Sequence, residues 1–233
     1  MRLAKKLGYP AVEFWEGGSE EFDPTPFKAA LDETGLAVAC MGFARGLVAP
    51  TAREEFLDSV KRSLANAKIL GAKGIIVVTG DEIEGVPRQT QHDSIVDGLK
   101  EAAEIVDGTG ITLLLEPLNV LVNHAGYYLE KSTEAFEIVR KVNSPCVKVL
   151  FDIYHQQISE GQLIANITEN IELIGHFHVA GNPGRGEPYL GEINYAEVFA
   201  AIEKAGYTGY AGLEFWPKCD VEESLKKCLE LYS

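Results

Sequence analysis

A parallel (β/α) barrel is the fold class that the sequence predicts. Strand-like and helix-like runs alternate along its whole length, the strand-like runs are almost continuously apolar, and glycine closes several helix-like runs just before the next strand. Alternation of this kind implies parallel strands joined by helical crossovers. Unbroken apolar strands are strands covered on both faces, and a closing glycine supplies the left-handed residue of a helix C-cap. The alternative is an open doubly wound sheet. No G-x-G-x-x-G dinucleotide turn follows the first strand, which weighs against it.

The opening residues MRLAKKLG read as the end of a helix and its glycine cap. Strands are expected at AVEFW (11–15), AVACMGF (37–43), GIIVVTG (74–80), ITLLLEP (111–117), VKVLFDI (147–153), IGHFHVA (174–180) and YAGLEFW (210–216). Amphipathic helices are expected near 27–32, 52–70, 91–107, 131–142, 157–171, 195–204 and 220–232, with Gly35, Gly71 and Gly206 ending three of them. Seven strands result, spaced roughly 26 to 37 residues apart. An eight-stranded TIM (β/α)8 barrel takes about 250 residues. A helix leading into the first visible strand predicts that the chain begins inside the first β/α unit, with the first strand missing. No Pro-, Gly- or Ser-rich linker divides the 233 residues, so a single domain, 1–233, is expected.

Composition narrows the partners. With 35 acidic against 21 basic residues the net charge is −14, which argues against a nucleic-acid partner. No apolar run approaches the ~20 residues that span a bilayer, and the N-terminus carries no signal-peptide core. A cytoplasmic location and no membrane association follow as expectations. Cys40, Cys146, Cys219 and Cys228 form no C-x-x-C pair and are expected to be reduced and mostly buried.

Four strands end in a potential metal ligand: Glu116, Asp152, His178 and Glu214. Alternation along a strand puts Glu116 on the face of Leu114, Asp152 with Leu150, His178 with His176 and Glu214 with Gly212. A solvated strand end is the ordinary fate of one such carboxylate. Four at the C-terminal ends of parallel strands point instead to a site, because that face is where barrels build them. Two glutamates, one aspartate and one histidine suit Mg²⁺, Mn²⁺ or Co²⁺ better than a thiolate-loving metal.

Such a cation polarises the oxygens of an α-hydroxycarbonyl. Two carboxylates beside it can then move a proton between adjacent carbons through an enediolate. Glu116 and Glu214 are expected to be that acid/base pair. His155, three residues after Asp152, is placed near a substrate oxygen, whereas His176, one layer deeper, is expected to be buried and satisfied. The loop HVAGNPGRGEPYLGEINY (178–195) carries Arg185, Glu187 and Glu192 between glycines and prolines. Arg185 suits a substrate carboxylate or hydroxyl, with Glu187 also assigned to substrate binding, and Asn194 suits the cap of the helix that follows.

Together LLLEPLN, FDIYHQQ, IGHFHVAGNPGRGEPYLGEINY and GLEFW closely resemble the hydroxypyruvate isomerase family of the xylose-isomerase-like barrels, from about residue 8 onward. The PGRGEP…GEINY stretch is the most specific part. The resemblance implies conversion of hydroxypyruvate to tartronate semialdehyde, with Glu116 and Glu214 as proton carriers and metal ligands, Asp152 as a ligand and His155 on the substrate side. Relatives that dimerise or tetramerise make a homo-oligomer an expectation by analogy alone. Two features depart from the family pattern. Several hydroxypyruvate isomerases carry Gln where this chain has His178, and ketose 3-epimerases carry His there. The epimerases also have a glutamate where this chain has Val122.

A ketose 3-epimerase is therefore the alternative to an isomerase of a small keto acid. An endonuclease IV-type nuclease would need extra histidines where Cys40-Met41-Gly42-Phe43 and Val78-Thr79-Gly80-Asp81 stand. A non-catalytic relative would keep the barrel and lose the activity, which intact ligands argue against.

Overall fold

The computed structural model describes residues 1–231. Its strands are β1 (Ala11–Phe14), β2 (Ala37–Arg45), β3 (Gly74–Val78), β4 (Thr112–Leu115), β5 (Val147–Asp152), β6 (Ile174–Val179) and β7 (Ala211–Leu213). All neighbouring pairs run parallel, in the order β1-β2-β3-β4-β5-β6-β7. The result is a nearly closed TIM-type barrel, as the apolar runs imply, with each predicted strand present.

The helices are α1 (Arg2–Leu7), α2 (Thr25–Thr34), α3 (Arg53–Leu70), α4 (Arg88–Val106), α5 (Ser132–Val142), α6 (Ile153–Ser159), α7 (Leu163–Glu169), α8 (Tyr195–Lys204) and α9 (Val221–Glu230). One expectation is corrected here. The helix predicted over 157–171 is two helices, broken where Gly161 and Gln162 both take left-handed φ angles of 64° and 52°. Such angles end a helix because an L side chain there meets its own backbone. The break lets α6 start at the end of β5, so that Asp152 caps it. None of the described helices is long and apolar enough to cross a membrane.

Strand alternation divides the apolar residues between two compartments. Ile75, Val77, Leu113, Leu115, Val149, Phe151 and Phe177 face the helices and join the main core. Cys40, Ile76, Leu114 and Leu150 form a small cluster inside the barrel. The second set is the floor on which the strand-end side chains stand.

Among the described residues, β7 and β1 share no backbone ladder. Side chains span the seam between them. Glu13 of β1 reaches His176 and His178 of β6 at 2.7 and 3.0 Å, and Trp15 packs edge-on against Trp216 with centroids 6.2 Å apart. On the outside, Tyr9 donates to the Leu225 carbonyl and Lys6 pairs with Glu222. A cleft of about 290 Å³ runs along this seam, lined in part by Val12, Glu13, Ala39, Gly212 and Leu213.

Phe151 lies fully buried between Phe136 and Phe177, one residue before Asp152. Phe151→Ala should cost about 3–5 kcal/mol of stability, the usual range for emptying an aromatic core site. Urea unfolding would measure this, and a cost below about 1 kcal/mol would mean that the ring is not part of the load-carrying core.

Candidate active site

The strand ends converge. One ligand atom from each of Glu116, Asp152, His178 and Glu214 lies within 4.8 Å of every other. Backbone bonds fix the two glutamates one residue past their strands: the Glu116 N–H donates to Val77 O at 3.0 Å and the Glu214 N–H to Val179 O at 3.1 Å. Tyr127 clamps the same corner, accepting from the Thr79 N–H at 2.8 Å and donating to Glu116 O at 3.0 Å. Asp152 divides its oxygens. Oδ1 accepts the Tyr154 and His155 N–H groups at 2.8 and 3.1 Å, an N-cap for α6, which leaves Oδ2 facing the cluster.

Two ring nitrogens face the same space. His178 Nδ1 is 3.5 Å from Glu116 Oε1 and 3.3 Å from Glu214 Oε2. His155 Nε2 is 3.5 Å from Asp152 Oδ2. Both nitrogens are buried and neither has a hydrogen-bond partner. Their orientation is set from behind. Glu13 Oε2 sits 3.0 Å from His178 Nε2 and fixes a proton there; the Glu214, Glu13 and Glu116 carboxylates also raise the ring's affinity for a second proton well above the usual histidine range, a proton that a cation at Nδ1 would displace. His155 Nδ1 accepts from the Asn119 N–H at 3.1 Å. Asn119 Oδ1 in turn accepts from Val122 and Asn123, folding the loop after Glu116.

Arg185 enters from the long loop after β6. Its guanidinium pairs with Glu214 and lies 3.4 Å from Asp152 Oδ2. Its backbone holds a φ of 50°, a strained angle for a side-chain-bearing residue. The surrounding loop pins it there: Trp216 N–H donates to Arg185 O at 2.8 Å, and Gly181 N–H to Gly186 O at 2.7 Å.

Glu187 departs from its expected place beside the substrate. It is fully buried under the loop, where Oε1 accepts from the Lys218 N–H at 2.8 Å, the Cys219 N–H at 3.3 Å and the Ser224 hydroxyl at 3.2 Å. Glu187 therefore ties the Arg185 loop to the segment after β7 and does not reach the cluster. Asn194 stands at the N-cap of α8, but its side chain makes no capping bond. Of the thiols, Cys40 and Cys228 are buried, Cys146 is half-buried and Cys219 exposed.

Burial and charge set the titration of the cluster. Burial pushes Glu116 up to about 7 and Asp152 up to about 6, the latter also raised by the Glu214 charge. Glu214 is buried as well, yet His178 and Arg185 pull it down to about 2. His155 drops to about 2 because burial and Arg185 both oppose a second positive charge. The donor set fits a divalent cation. Oxygen donors dominate it, the two orphaned nitrogens point into it, and carboxylates held partly protonated by burial would ionise beside a cation.

Sequence reasoning passed over Glu13 and His124, whose ring packs 5.3 Å from that of His155. A signal for Glu13 was present: AVEFW and GLEFW carry the same Glu-Phe-Trp ending, and the aromatic pair Trp15–Trp216 meets at the mouth.

These features define an α/β barrel with a buried carboxylate–histidine cluster at the C-terminal ends of its strands. The chain belongs to the xylose isomerase-like TIM barrel family, whose profile matches residues 1–231. It is 36% identical to the hydroxypyruvate isomerase of Escherichia coli, over 76% of this chain and 68% of that protein. It is 33% identical to the 2-oxo-tetronate isomerase of Cupriavidus necator, over 94% and 86% of the two chains. Among solved structures, a family 2 AP endonuclease of Brucella melitensis superposes with a TM-score of 0.91 at 29% identity, covering 98% of this chain and 91% of that one.

The raised carboxylates make a stability prediction for the metal-free protein. A carboxyl whose folded pKa lies above its unfolded value favours folding below the unfolded value and loses that contribution as pH rises through the folded one. Glu116 and Asp152 do so between about 4 and 7. Removing the Glu116 charge should therefore raise the melting temperature of Glu116→Gln above that of the parent at pH 8, with the gap closing at pH 5. A variant less stable than the parent at both pH values would contradict this electrostatic picture.

Proposed function

We infer that the chain is a metal-dependent isomerase that moves a proton between adjacent carbons of a small hydroxy-keto acid, most closely of the hydroxypyruvate isomerase type. The observation that carries the reading is the convergence of Glu116, Asp152, His178 and Glu214 at one point, with Arg185 beside them. The relatives named hydroxypyruvate isomerase and 2-oxo-tetronate isomerase support it.

Glu116, Asp152, His178 and Glu214 would hold the cation, with magnesium, manganese and cobalt all suited to the donor set. When bound, the metal supplies Lewis acidity toward the carbonyl and hydroxyl oxygens. The residues do the rest. Glu214 is the carboxylate held ionised, so it takes the proton from the hydroxyl-bearing carbon C3 of hydroxypyruvate. Glu116, the second carboxylate of the pair, returns a proton to C2 from the opposite side. The electron pair of the broken C–H bond forms the enediolate double bond. A proton passes from the C3 hydroxyl to the C2 oxygen, leaving an aldehyde at C3 and a hydroxyl at C2.

Arg185 offers its planar fork to the substrate carboxylate. His155 presents Nε2 on the side of Asp152, where it can meet a substrate oxygen. The cleft beside Arg185 and Glu214, walled by Trp15, Phe215 and Trp216, measures about 160 Å³.

The ketose 3-epimerase reading has one feature in its favour, His178 in place of Gln. Val122 stands against it, exposed where the epimerases carry a sugar-gripping glutamate. The nuclease reading lacks its histidines on β2 and β3.

The deciding experiment offers hydroxypyruvate, a four-carbon 2-oxo acid and a free ketohexose in deuterated water with added manganese. Deuterium should enter the keto acids and not the ketohexose. Glu116→Gln and Glu214→Gln should each slow exchange by about 10²–10⁴-fold, the usual contribution of a positioned acid or base. Exchange with the ketohexose alone would replace this reading by the epimerase one.

A further inference from the structure

Beneath the cluster, the barrel interior holds a second group of donors. We propose that Glu13, Cys40, His176 and His178 form a second metal site, matched to zinc, which ties the two sides of the barrel seam together. The reading goes beyond the activity proposed above and does not depend on it.

Ligand atoms of these four residues all lie within 4.8 Å of one another. Glu13 alone spans two of the others, Oε1 at 2.7 Å from His176 Nε2 and Oε2 at 3.0 Å from His178 Nε2. A tetrahedral zinc with bonds of 2.0–2.3 Å needs donors about 3.4 Å apart, a little wider than the two Glu13–histidine contacts and within the 4.8 Å that bounds the group. One thiolate, two imidazoles and one carboxylate make a donor set softer than the oxygen-rich cluster above it, and such a set selects zinc. The two sites would therefore differ in metal as well as in depth.

The surroundings are built for it. Cys40, His176 and His178 are buried, and Cys40 lies among Ile76, Leu114 and Leu150. Two strand glycines leave the room that the donors use. A Cβ at Gly212 would overlap the Glu13 carboxylate, and one at Gly74 would press on Leu114 and on the Cβ of Cys40. The seam cleft lined by Glu13, Ala39 and Gly212 offers an entry path.

Position gives the site a purpose. Glu13 lies on β1, Cys40 on β2 and both histidines on β6. An ion held by all four would close a loop of more than a hundred residues across the one strand boundary without a ladder among the described residues, and closures that long are where a metal clip is worth most. His178 faces both sites, Nδ1 toward Glu116 and Glu214 and Nε2 toward Glu13. The deep ion would displace the Nε2 proton of His178 to solvent, and with both sites filled the ring would bridge the two ions as an imidazolate, Nε2 on the deep ion and Nδ1 on the upper one.

Cobalt(II) titrated into the full chain after chelator treatment reports the thiolate directly. The expected result is two cobalt ions per chain and a near-ultraviolet thiolate-to-cobalt charge-transfer band. Cys40→Ser should lose the band and keep one cobalt, whereas Glu116→Gln should keep the band. Zinc-edge X-ray absorption of the parent protein needs no variant and should show one sulfur neighbour at about 2.3 Å. Saturation with cobalt without the band, a band that survives Cys40→Ser, or a zinc shell of nitrogen and oxygen alone would each overturn the proposal.

Discussion

Three carboxylates converge at the mouth of this barrel, and much of the architecture answers their repulsion. Glu116, Asp152 and Glu214 each offer an oxygen within 4.8 Å of the others. In a medium of low effective dielectric, like charges at that separation cost several kcal/mol unless something offsets them. The chain offsets them unequally. His178 and Arg185 hold Glu214 ionised, while Glu116 and Asp152 climb toward neutrality. Groups whose environments push their titration apart are the groups that exchange protons in catalysis.

Backbone and side-chain bonds hold the carboxylates against this repulsion. Ladder bonds extend one residue past β4 and β7 to fix Glu116 and Glu214. The cap on α6 immobilises Asp152 through the oxygen that the cluster does not use. Buried Glu187 anchors the loop that delivers Arg185 in a strained conformation. Glu13, reaching over the seam, fixes the ring of His178. Each of these bonds decides where a side chain of the cluster can point.

Much of this was legible in the sequence because a parallel barrel maps strand ends onto one face. Glu116, Asp152, His178 and Glu214 stand out in the sequence because each closes a strand with a potential ligand. The same reading applied to AVEFW would have raised Glu13. Its importance stays hidden because strand order around a barrel, and hence its proximity to His176 and His178, is a tertiary fact. Glu187 was misplaced for a related reason. In a loop whose backbone turns at left-handed residues such as Gly184 and Arg185, spacing does not say which way a charged side chain faces. The break between α6 and α7 rests on left-handed backbone at Gln162, a residue with no special preference for it. A Gly-Gln pair inside an amphipathic run gives only half of that signal.

A crystal structure with manganese, located by its anomalous scattering, tests the central claim most directly. Oxygens of Glu116, Asp152 and Glu214 and Nδ1 of His178 should all lie within about 2.0–2.6 Å of one ion, with Arg185 withdrawn from Asp152. An ion bound elsewhere, or two of these four side chains turned away from it, would contradict the account.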